Sequence, residues 1–201
     1  MVDLVHFFLM WDQVLLSYIR QPAMYFEIFN EPFGYSTAEW SALCAEWLMR
    51  YPSLPRERIL VGGTGYDDNI TAMGADTRFQ DCLLSLHIYA FWENLNSVAA
   101  WKEDLAKAVS LYANRTILTE FGVTMNTGVN YTTSNPGTDN DVCFLQAVVQ
   151  DLRAWGMSSC YWPGLRIGDG YSLQILTGDY SMTTTNPSGV SELLYGWGVQ
   201  S

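Results

Sequence analysis

Two glutamates follow apolar segments of the chain, at points where a strand gives way to a loop. Glu31 comes after the segment 24–29 and Asn30, and Glu120 comes after the segment 116–119. A carboxyl group at the end of a parallel strand lies where α/β barrels carry their chemistry. Two such groups, one neutral and one ionised, provide a proton donor and a nucleophile. On position alone, an exposed turn residue explains Glu31 equally well.

The elements that must position these glutamates are five short apolar runs, which we interpret as strands. They lie at residues 24–29, 58–63, 82–89, 116–120 and 157–162. Each run is continuously apolar rather than alternating, which is typical of parallel strands covered on both faces. The runs therefore predict an α/β architecture with a parallel sheet.

Helical periodicity lies between and beside the strand-like runs. We predict helices at residues 2–20, 36–51, 92–112, 139–155 and 188–195. Ser36 and Glu39 form a capping-box pattern at the start of the second helix. The loop 163–185 is long for a compact domain, and loops of this length are often functional. Since no internal repeat or linker is found, residues 1–201 are expected to form a single domain.

The composition argues against several classes of protein. Of the 201 residues, 49% are apolar and 14% aromatic, which is sufficient for a sizeable core. The net charge of −11 argues against binding to nucleic acid or to an anionic membrane, since both require basic patches. No apolar run approaches the ~20 residues of a membrane span. Residues 1–10 lack the basic start and the cleavage site of a signal peptide, so none is expected.

The four cysteines are widely spaced and show no metal or redox pattern. They are Cys44, Cys82, Cys143 and Cys160, without a CxxC spacing or a nearby histidine pair. We therefore expect no metal site, and no organic cofactor is implied. Cys82 and Cys160 fall in strand-like runs and are expected to be buried free thiols. Disulfide bonds are left open by the sequence.

The motifs around the two glutamates are similar to those of one enzyme family. Asn30-Glu31-Pro32 after an apolar strand resembles the acid/base motif of glycoside hydrolase family 5, which belongs to a clan of retaining β-glycosidases. Thr119-Glu120-Phe121-Gly122 resembles the nucleophile motif of the same family. In that family the nucleophile follows the acid/base by three βα units. The separation in this chain corresponds to three units of ~30 residues each.

This resemblance implies a retaining hydrolysis of β-glycosides by two carboxyl groups. Glu31 would donate a proton to the leaving oxygen, and Glu120 would attack the anomeric carbon. Carboxyl groups ~5–5.5 Å apart favour this double displacement, whereas a wider separation admits an attacking water and inverts the sugar. The catalytic residues implied are therefore Glu31 and Glu120.

The resemblance also implies contacts with the substrate. Asn30 would hydrogen-bond the sugar 2-hydroxyl, and Trp162 would stack beneath the sugar beside the scissile bond. His87 and Tyr89 lie two residues apart on one predicted strand and so point to the same face. In the family, the tyrosine of this His-x-Tyr pattern orients the nucleophile. The alternatives are a strand-end cap for Asn30 and an ordinary core position for His87.

Aromatic residues in the loops after strands are candidate platforms for sugar rings. Tyr66 and Trp92 are the two that we assign to substrate binding. Further candidates are Phe33, Tyr35, Tyr131 and Tyr171. Glu27 is expected to be a structural carboxylate rather than a catalytic one. Asp67, Asp68 and Asn69 are expected to form a solvated turn, with hydrogen bonds to sugar hydroxyls as the alternative.

The chain departs from the family in length. A complete (β/α)8 barrel takes about 250 residues, and in the family the Asn-Glu-Pro motif ends the fourth strand. Here 29 residues precede Asn30, enough for one helix and one strand. The resemblance therefore implies an α/β fold of the (β/α)8 TIM-barrel type, as a partial barrel that corresponds to strands 4–8.

A partial barrel predicts self-association. Five parallel strands cannot close a barrel, so sheet edges and an apolar flank would be exposed. We therefore predict a homodimer or higher oligomer, with the helix Val2–Ile19 at or near the interface. Truncation of a longer reading frame is the alternative explanation for the length.

Two functional hypotheses follow. The first is an endo-acting β-1,4-glucanase, or cellulase, because β-glucans are the commonest substrates of the family. Mannan, xylan and other β-glycosides are alternatives, since motifs do not decide the sugar. The second is a non-catalytic carbohydrate-binding remnant, because an error of ~1 Å in carboxyl position can cost 10²-fold in rate.

A polysaccharide or oligosaccharide is the expected partner. Family members are commonly secreted, but the sequence leaves the localisation open.

Overall fold

The computed structural model describes residues 3–109 and 111–199 of the chain. Its main sheet contains β1 (Phe26–Glu27), β2 (Ile59–Gly62), β3 (Leu83–Tyr89), β4 (Thr116–Gly122) and β5 (Ser159–Tyr161), in that order. Strands that follow one another along the chain are neighbours in the sheet, as in a series of βα units. The predicted α/β architecture with five parallel strands is confirmed.

Six α-helices lie within the described ranges. They are α1 (Leu4–Tyr18), α2 (Thr37–Arg50), α3 (Thr71–Ala75), α4 (Val98–Val109), α5 (Asn140–Trp155) and α6 (Pro187–Gly196). Ser36 and Glu39 complete the predicted capping box at the start of α2. Helix α3 was not predicted, because five residues are too few to display helical periodicity.

Several predicted elements differ from the structure at their ends. The strand predicted at 24–29 has only two residues in the ladder, although the N–H group of Ile28 still donates to the carbonyl of Leu60 at 3.3 Å. The helix predicted at 92–112 begins at Val98, because residues 90–92 form a separate 3-10 turn. Val2 and Ser110, which belong to two of the predicted helices, lie outside the described residues.

The chain packs as two compact units, residues 1–85 and 86–201, and a single domain stays a prediction. In the first unit, indole rings attach the helices to the strands. Trp11 of α1 donates a hydrogen bond to the carbonyl of Ile28 at 3.1 Å, and Trp40 of α2 donates one to the carbonyl of Gly62 at 2.8 Å. Both rings are buried, so each combines apolar packing with a satisfied N–H group.

In the second unit, α5 packs against both α4 and α6. The rings of Trp101 and Phe144 meet edge to face with their centroids 4.9 Å apart, which joins α4 to α5. Gly196 of α6 approaches α5 so closely that an added Cβ would lie 2.8 Å from the Cβ of Val149. Helix α5 ends at Gly156, whose φ of +63° is the left-handed conformation that glycine adopts without strain.

The long loop predicted at 163–185 has structure of its own. Residues 174–184 form an antiparallel hairpin of β6 (Gln174–Leu176) and β7 (Met182–Thr184). The sequence did not predict this hairpin, because strands of three residues are too short to show an alternating pattern. The loop therefore combines a regular hairpin with the irregular segment that follows β5.

The four cysteines are free thiols, and three of them are buried. The prediction that Cys160 is buried is wrong. Successive side chains of β5 point to opposite faces, so the buried Tyr161 leaves its neighbour Cys160 exposed. Along residues 3–109 and 111–199, none of the helices combines the length and apolar character needed to cross a membrane.

Candidate active site

Glu120 lies near the end of β4, and its carboxylate is held by the neighbouring strand. The hydroxyl of Tyr89, at the end of β3, donates a hydrogen bond to Oε1 of Glu120 at 2.7 Å. Tyr89 is buried, whereas the Glu120 side chain is 21% exposed. The carboxylate is therefore fixed in direction and still open to a ligand.

His87 is the second residue of β3 that faces the Glu120 carboxylate. Its Nδ1 lies 3.9 Å from Oε2 of Glu120, which is longer than a direct hydrogen bond. The His87 side chain is 1% exposed. Because His87 and Tyr89 are two residues apart on one strand, they share a face of the sheet. The sequence-predicted group of His87, Tyr89 and Glu120 is thus brought together in the second unit.

Trp162 follows β5 and is 48% exposed, which leaves much of its ring open to a ligand. The backbone N–H group of Trp162 donates to the carbonyl of Phe121 at 2.8 Å, so a hydrogen bond joins the Trp162 backbone to β4. An added Cβ on Gly122 would lie 2.4 Å from the Trp162 carbonyl oxygen and 3.0 Å from the Tyr171 ring. The glycine of the Thr119–Gly122 motif therefore makes room for the segment that carries Trp162.

A cluster of aromatic rings surrounds Tyr89. Its ring centroid lies 5.0 Å from Phe91, 5.6 Å from Trp92 and 6.2 Å from Tyr171. Trp92 is half-buried at the end of the 3-10 turn, whereas Phe91 is 65% exposed. Phe91 was missed by the sequence reasoning, although the run Tyr89–Trp92 contains three aromatic residues among four. The second unit thus contains an aromatic cluster of Tyr89, Phe91, Trp92 and Tyr171.

The other predicted catalytic residue, Glu31, lies in the first unit in the loop after β1. Asn30 is exposed and Glu31 is half-buried. The backbone of Glu31 has φ of +52°, a left-handed conformation that is uncommon for a residue with a side chain. The Glu31 N–H group donates to Oδ2 of Asp67 at 2.8 Å. Glu31 is thus positioned through its backbone by a residue from the loop after β2.

Asp67 is the functional candidate that sequence reasoning missed. The prediction of a solvated turn is wrong for this residue, whose exposure is 0%, although Asp68 and Asn69 are exposed as expected. Burial, and then the charge of Glu27, raise the pKa of Asp67 to about 9. At neutral pH the Asp67 carboxyl group is therefore protonated and uncharged.

Tyr66, predicted as a substrate platform, lies beside Asp67 and stacks on Phe33. The two ring centroids are 4.9 Å apart with an interplanar angle of 21°. Tyr66 is 43% exposed and Phe33 is 64% exposed. The first unit therefore presents a pair of stacked, accessible aromatic rings in the loops that carry Glu31 and Asp67.

The remaining candidates are structural or lie apart from these groups. Tyr131 is buried and its hydroxyl donates to the carbonyl of Thr124 at 2.5 Å, so its prediction as a platform is wrong. A hydroxyl-to-backbone bond places the ring in the core of the second unit. Tyr35 packs against Trp40 with ring centroids 5.8 Å apart. Glu27 accepts a hydrogen bond from the Ser85 hydroxyl, an arrangement compatible with its expected structural role.

A family model describes most of this chain. The model of the cellulases, glycosyl hydrolase family 5, matches residues 4–163, a range that includes both Glu31 and Glu120. The chain belongs to this family. No curated protein matches the sequence of this family 5 chain.

Solved structures similar to this family 5 chain share its fold. An endo-β-1,4-glucanase from Xanthomonas axonopodis pv. citri with a triple mutation is 17% identical over 94% of this chain and 64% of its own, with a TM-score of 0.66. XacCel5A in complex with cellopentaose is 16% identical over 92% and 63%, with a TM-score of 0.65. A β-glucanase from Saccharophagus degradans is 18% identical over 98% and 60%, with a TM-score of 0.70.

These similarities confirm the predicted fold. The five parallel strands form a partial (β/α)8 barrel of the kind found in the matching structures. This chain spans 64% of the length of the Xanthomonas enzyme, less than two thirds. Identities below one fifth show the fold of this family 5 chain and not its substrate.

Proposed function

We propose that this chain is a retaining glycoside hydrolase with Glu120 as nucleophile and Glu31 as acid/base. The observation that carries the proposal is the hydrogen bond from Tyr89 to Glu120 Oε1 at 2.7 Å, with His87 facing Oε2. A donor on one carboxylate oxygen fixes the group in direction, so we assign the attack on the sugar to Oε2. Membership of glycosyl hydrolase family 5 supports the reaction class.

The proposed reaction is a double displacement. Glu31 donates its proton to the glycosidic oxygen as Glu120 Oε2 attacks the anomeric carbon, and the carbon–oxygen bond to the leaving group breaks. The product of this step is a covalent glycosyl–enzyme ester on Glu120. Glu31, now ionised, takes a proton from water, which attacks the same carbon and releases the Glu120 carboxylate. Two inversions at one carbon retain the β-configuration.

Four further residues are proposed to contact the sugar. Asn30 would hydrogen-bond the 2-hydroxyl, and its exposed position in the first unit is compatible with this role. Trp162 would stack on the sugar next to the scissile bond, and its exposed ring supports this assignment. Tyr66 and Trp92 are proposed as further platforms. No metal or organic cofactor takes part in the proposed reaction.

The proposed substrate is a β-1,4-glucan cleaved at internal bonds. Support comes from the similar structures, which include an endo-β-1,4-glucanase and a complex with cellopentaose. A β-mannan or another β-glycan is the alternative within the same reaction class. Cellopentaose, the ligand of one similar structure, is the appropriate test ligand.

A carbohydrate-binding protein without activity is the second candidate function. The observation that favours it is the set of exposed aromatic rings in the loops after strands. Exposed aromatic rings such as Trp162 and Phe33 would serve binding without catalysis. This candidate predicts binding of cellopentaose that does not depend on Glu120.

We also propose that two copies of the chain associate through α1. This helix leaves apolar side chains exposed, namely Leu4 (47%), Val5 (68%), Leu9 (55%), Met10 (48%) and Leu16 (79%). Apolar surface of this kind is stabilised when a symmetric partner covers it. Light scattering should report a dimer or larger assembly at micromolar concentration, and a monomer over that range would contradict the proposal.

Hydrolysis of a soluble β-1,4-glucan and of an aryl β-cellobioside tests the proposed function. The parent protein should cleave both, and Glu120→Gln should lower kcat/KM on the order of 10³-fold or more. The matched control is Glu103→Gln, the same change on α4 at a side chain that is 70% exposed, and it should retain activity. A folded parent without activity that binds cellopentaose would favour the second candidate.

A further inference from the structure

Asp67 is a buried carboxyl group that the proposed reaction does not use. It is fully buried in the loop after β2, and its Oδ2 accepts a hydrogen bond from the Glu31 N–H group at 2.8 Å. Aspartate is seldom buried completely unless it has a specific partner. Here that partner is the backbone of the proposed acid/base.

The backbone of Glu31 needs such a partner. Its φ of +52° is disfavoured for a residue with a Cβ atom, and such a conformation persists only where the surroundings hold it. The loop after β2 makes two hydrogen bonds to the backbone around Glu31. Asp67 accepts from the Glu31 N–H group, and the Gly65 N–H group donates to the Pro32 carbonyl at 3.0 Å. The loop after β2 therefore holds the chain on both sides of the Glu31 α-carbon.

The loop after β2 is itself built to place Asp67. Gly65, Tyr66 and Asp67 have φ values of +75°, +68° and +60°, three left-handed residues in succession. An added Cβ on Gly62 would lie 1.8 Å from Asp67 Oδ1, so the carboxyl group occupies space that any other residue at 62 would fill. The left-handed backbone of residues 65–67 and the absence of a side chain at Gly62 thus both allow the Asp67 carboxyl group to occupy its position.

We propose that Asp67 is a positioning residue that fixes the Glu31 backbone and thereby sets where the Glu31 carboxyl group delivers its proton. The inference rests on the proposed function, since it gives Asp67 a role in the acid step. Asp67 does not touch the substrate in this account. It acts through its hydrogen bond to Glu31.

The charge state of Asp67 fits this role. Burial and the charge of Glu27 raise its pKa to about 9, while the hydrogen bond from Glu31 opposes the shift. A neutral carboxyl group accepts the Glu31 N–H through one oxygen, as the amide oxygen of asparagine also does. The substitution Asp67→Asn would therefore preserve the hydrogen bond, whereas a residue without an acceptor would remove it.

The test compares substrates that differ in their need for an acid. Departure of a sugar alkoxide requires proton donation, whereas departure of dinitrophenolate requires little. Asp67→Ala should lower kcat/KM for cellopentaose on the order of 10²-fold, and that for dinitrophenyl β-cellobioside less than about 10-fold. Asp67→Asn should stay within a few-fold of the parent on both substrates. A purely structural role would reduce both substrates equally, and that result would overturn the proposal.

The controls separate folding from positioning. Asp68→Ala changes an exposed carboxylate of the same loop and should leave both substrates unaffected. If Asp67→Ala does not fold, Asp67→Gly replaces it, because glycine adopts a φ of +60° without strain. Full activity of Asp67→Ala, or of Asp67→Gly where it is used instead, toward cellopentaose would also overturn the proposal.

A second readout keeps the inference separate from the proposed function. Amide hydrogen exchange of Glu31, followed by NMR, should be slow in the parent and in Asp67→Asn. It should be faster by about 10-fold or more in Asp67→Ala, because the acceptor is gone. A parent protein that is inactive on every glycan would refute the proposed function. Independently of activity, an unchanged exchange rate of the Glu31 amide in Asp67→Ala would refute the positioning role.

Discussion

The two proposed catalytic glutamates are held in different ways. Glu120 belongs to a regular strand, and its carboxylate itself accepts a hydrogen bond from Tyr89. Glu31 belongs to a loop, and the hydrogen bond to Asp67 acts on its backbone N–H rather than on its carboxyl group. In one case the reacting group is fixed directly. In the other, the chain beneath the reacting group is fixed.

This difference matches what each group is proposed to do. A nucleophile attacks one carbon along one direction, so a direct hydrogen bond to its carboxylate is an advantage. An acid that later becomes a base must exchange its proton with two partners, the leaving oxygen and a water. The hydrogen bond to Asp67 uses the Glu31 N–H group, so this bond engages neither carboxyl oxygen of Glu31 in the two proposed proton transfers.

Removal of the Tyr89 hydroxyl should give the largest loss of activity among the changes that test this comparison. Tyr89→Phe removes the donor to Glu120 Oε1 but keeps the ring among Phe91, Trp92 and Tyr171. We expect kcat/KM to fall on the order of 10²-fold, with little change in Tm. Tyr180→Phe, at a side chain that is 86% exposed, is the control. Activity equal to that of the parent would show that Glu120 does not depend on this bond.

Displacement of the Trp162 segment should have the next largest effect. Gly122→Ala would place a Cβ 2.4 Å from the Trp162 carbonyl oxygen. We expect a loss of about 1–3 kcal/mol in the free energy of unfolding and a raised KM for the glucan, measured by denaturation and steady-state kinetics. Gly178→Ala, where no atom lies within 4 Å of the added Cβ, should leave both quantities unchanged. A stable variant with the parental KM would contradict the role given to Trp162.

Replacement of Asp67 by asparagine should have the smallest effect on hydrolysis and should be visible in stability. The pKa of Asp67 is about 9 in the folded chain, compared with an ordinary value of 3.8. Between these values the folded chain keeps a proton that the unfolded chain releases, so this group lowers the free energy of unfolding as pH rises. Below about pH 4 both states are protonated and the penalty disappears.

Asparagine does not titrate and escapes this penalty. The Tm of Asp67→Asn, relative to that of the parent, should therefore rise from pH 5 to pH 8. Asp81→Asn, at an exposed carboxylate, should show no such trend. A Tm difference for Asp67→Asn that is independent of pH would mean that Asp67 is ionised in the folded chain.

The sequence predicted one of the two regions more completely than the other. His87 and Tyr89 lie two residues apart on one strand, so period-two alternation placed them on one face. The resemblance to family 5 implied that the tyrosine orients Glu120. Asp67 could not be found in this way. Its burial depends on the absence of a side chain at Gly62 and on the left-handed backbone at residues 65–67. Neither feature produces a periodic pattern in the sequence.

The same reasoning explains the other errors of prediction. Cys160 and Tyr131 were assigned from local composition, but their exposure is decided by which face of β5 is covered and by what packs around the loop after β4. The β6–β7 hairpin has strands of three residues, too short for any periodic signal. The five strands and the helices that lie in continuous apolar or helical patterns were predicted with the correct type, whereas α3 and the β6–β7 hairpin, which show no such pattern, were not.

The most direct test of the two-glutamate mechanism is the stereochemistry of azide products. With dinitrophenyl β-cellobioside, Glu120→Ala and azide should give the α-glycosyl azide, because azide replaces the missing nucleophile. Glu31→Ala and azide should give the β-glycosyl azide, because azide replaces water on the glycosyl–enzyme ester. The same anomer from both variants, or the two anomers exchanged, would contradict the assignment of Glu120 as nucleophile and Glu31 as acid/base.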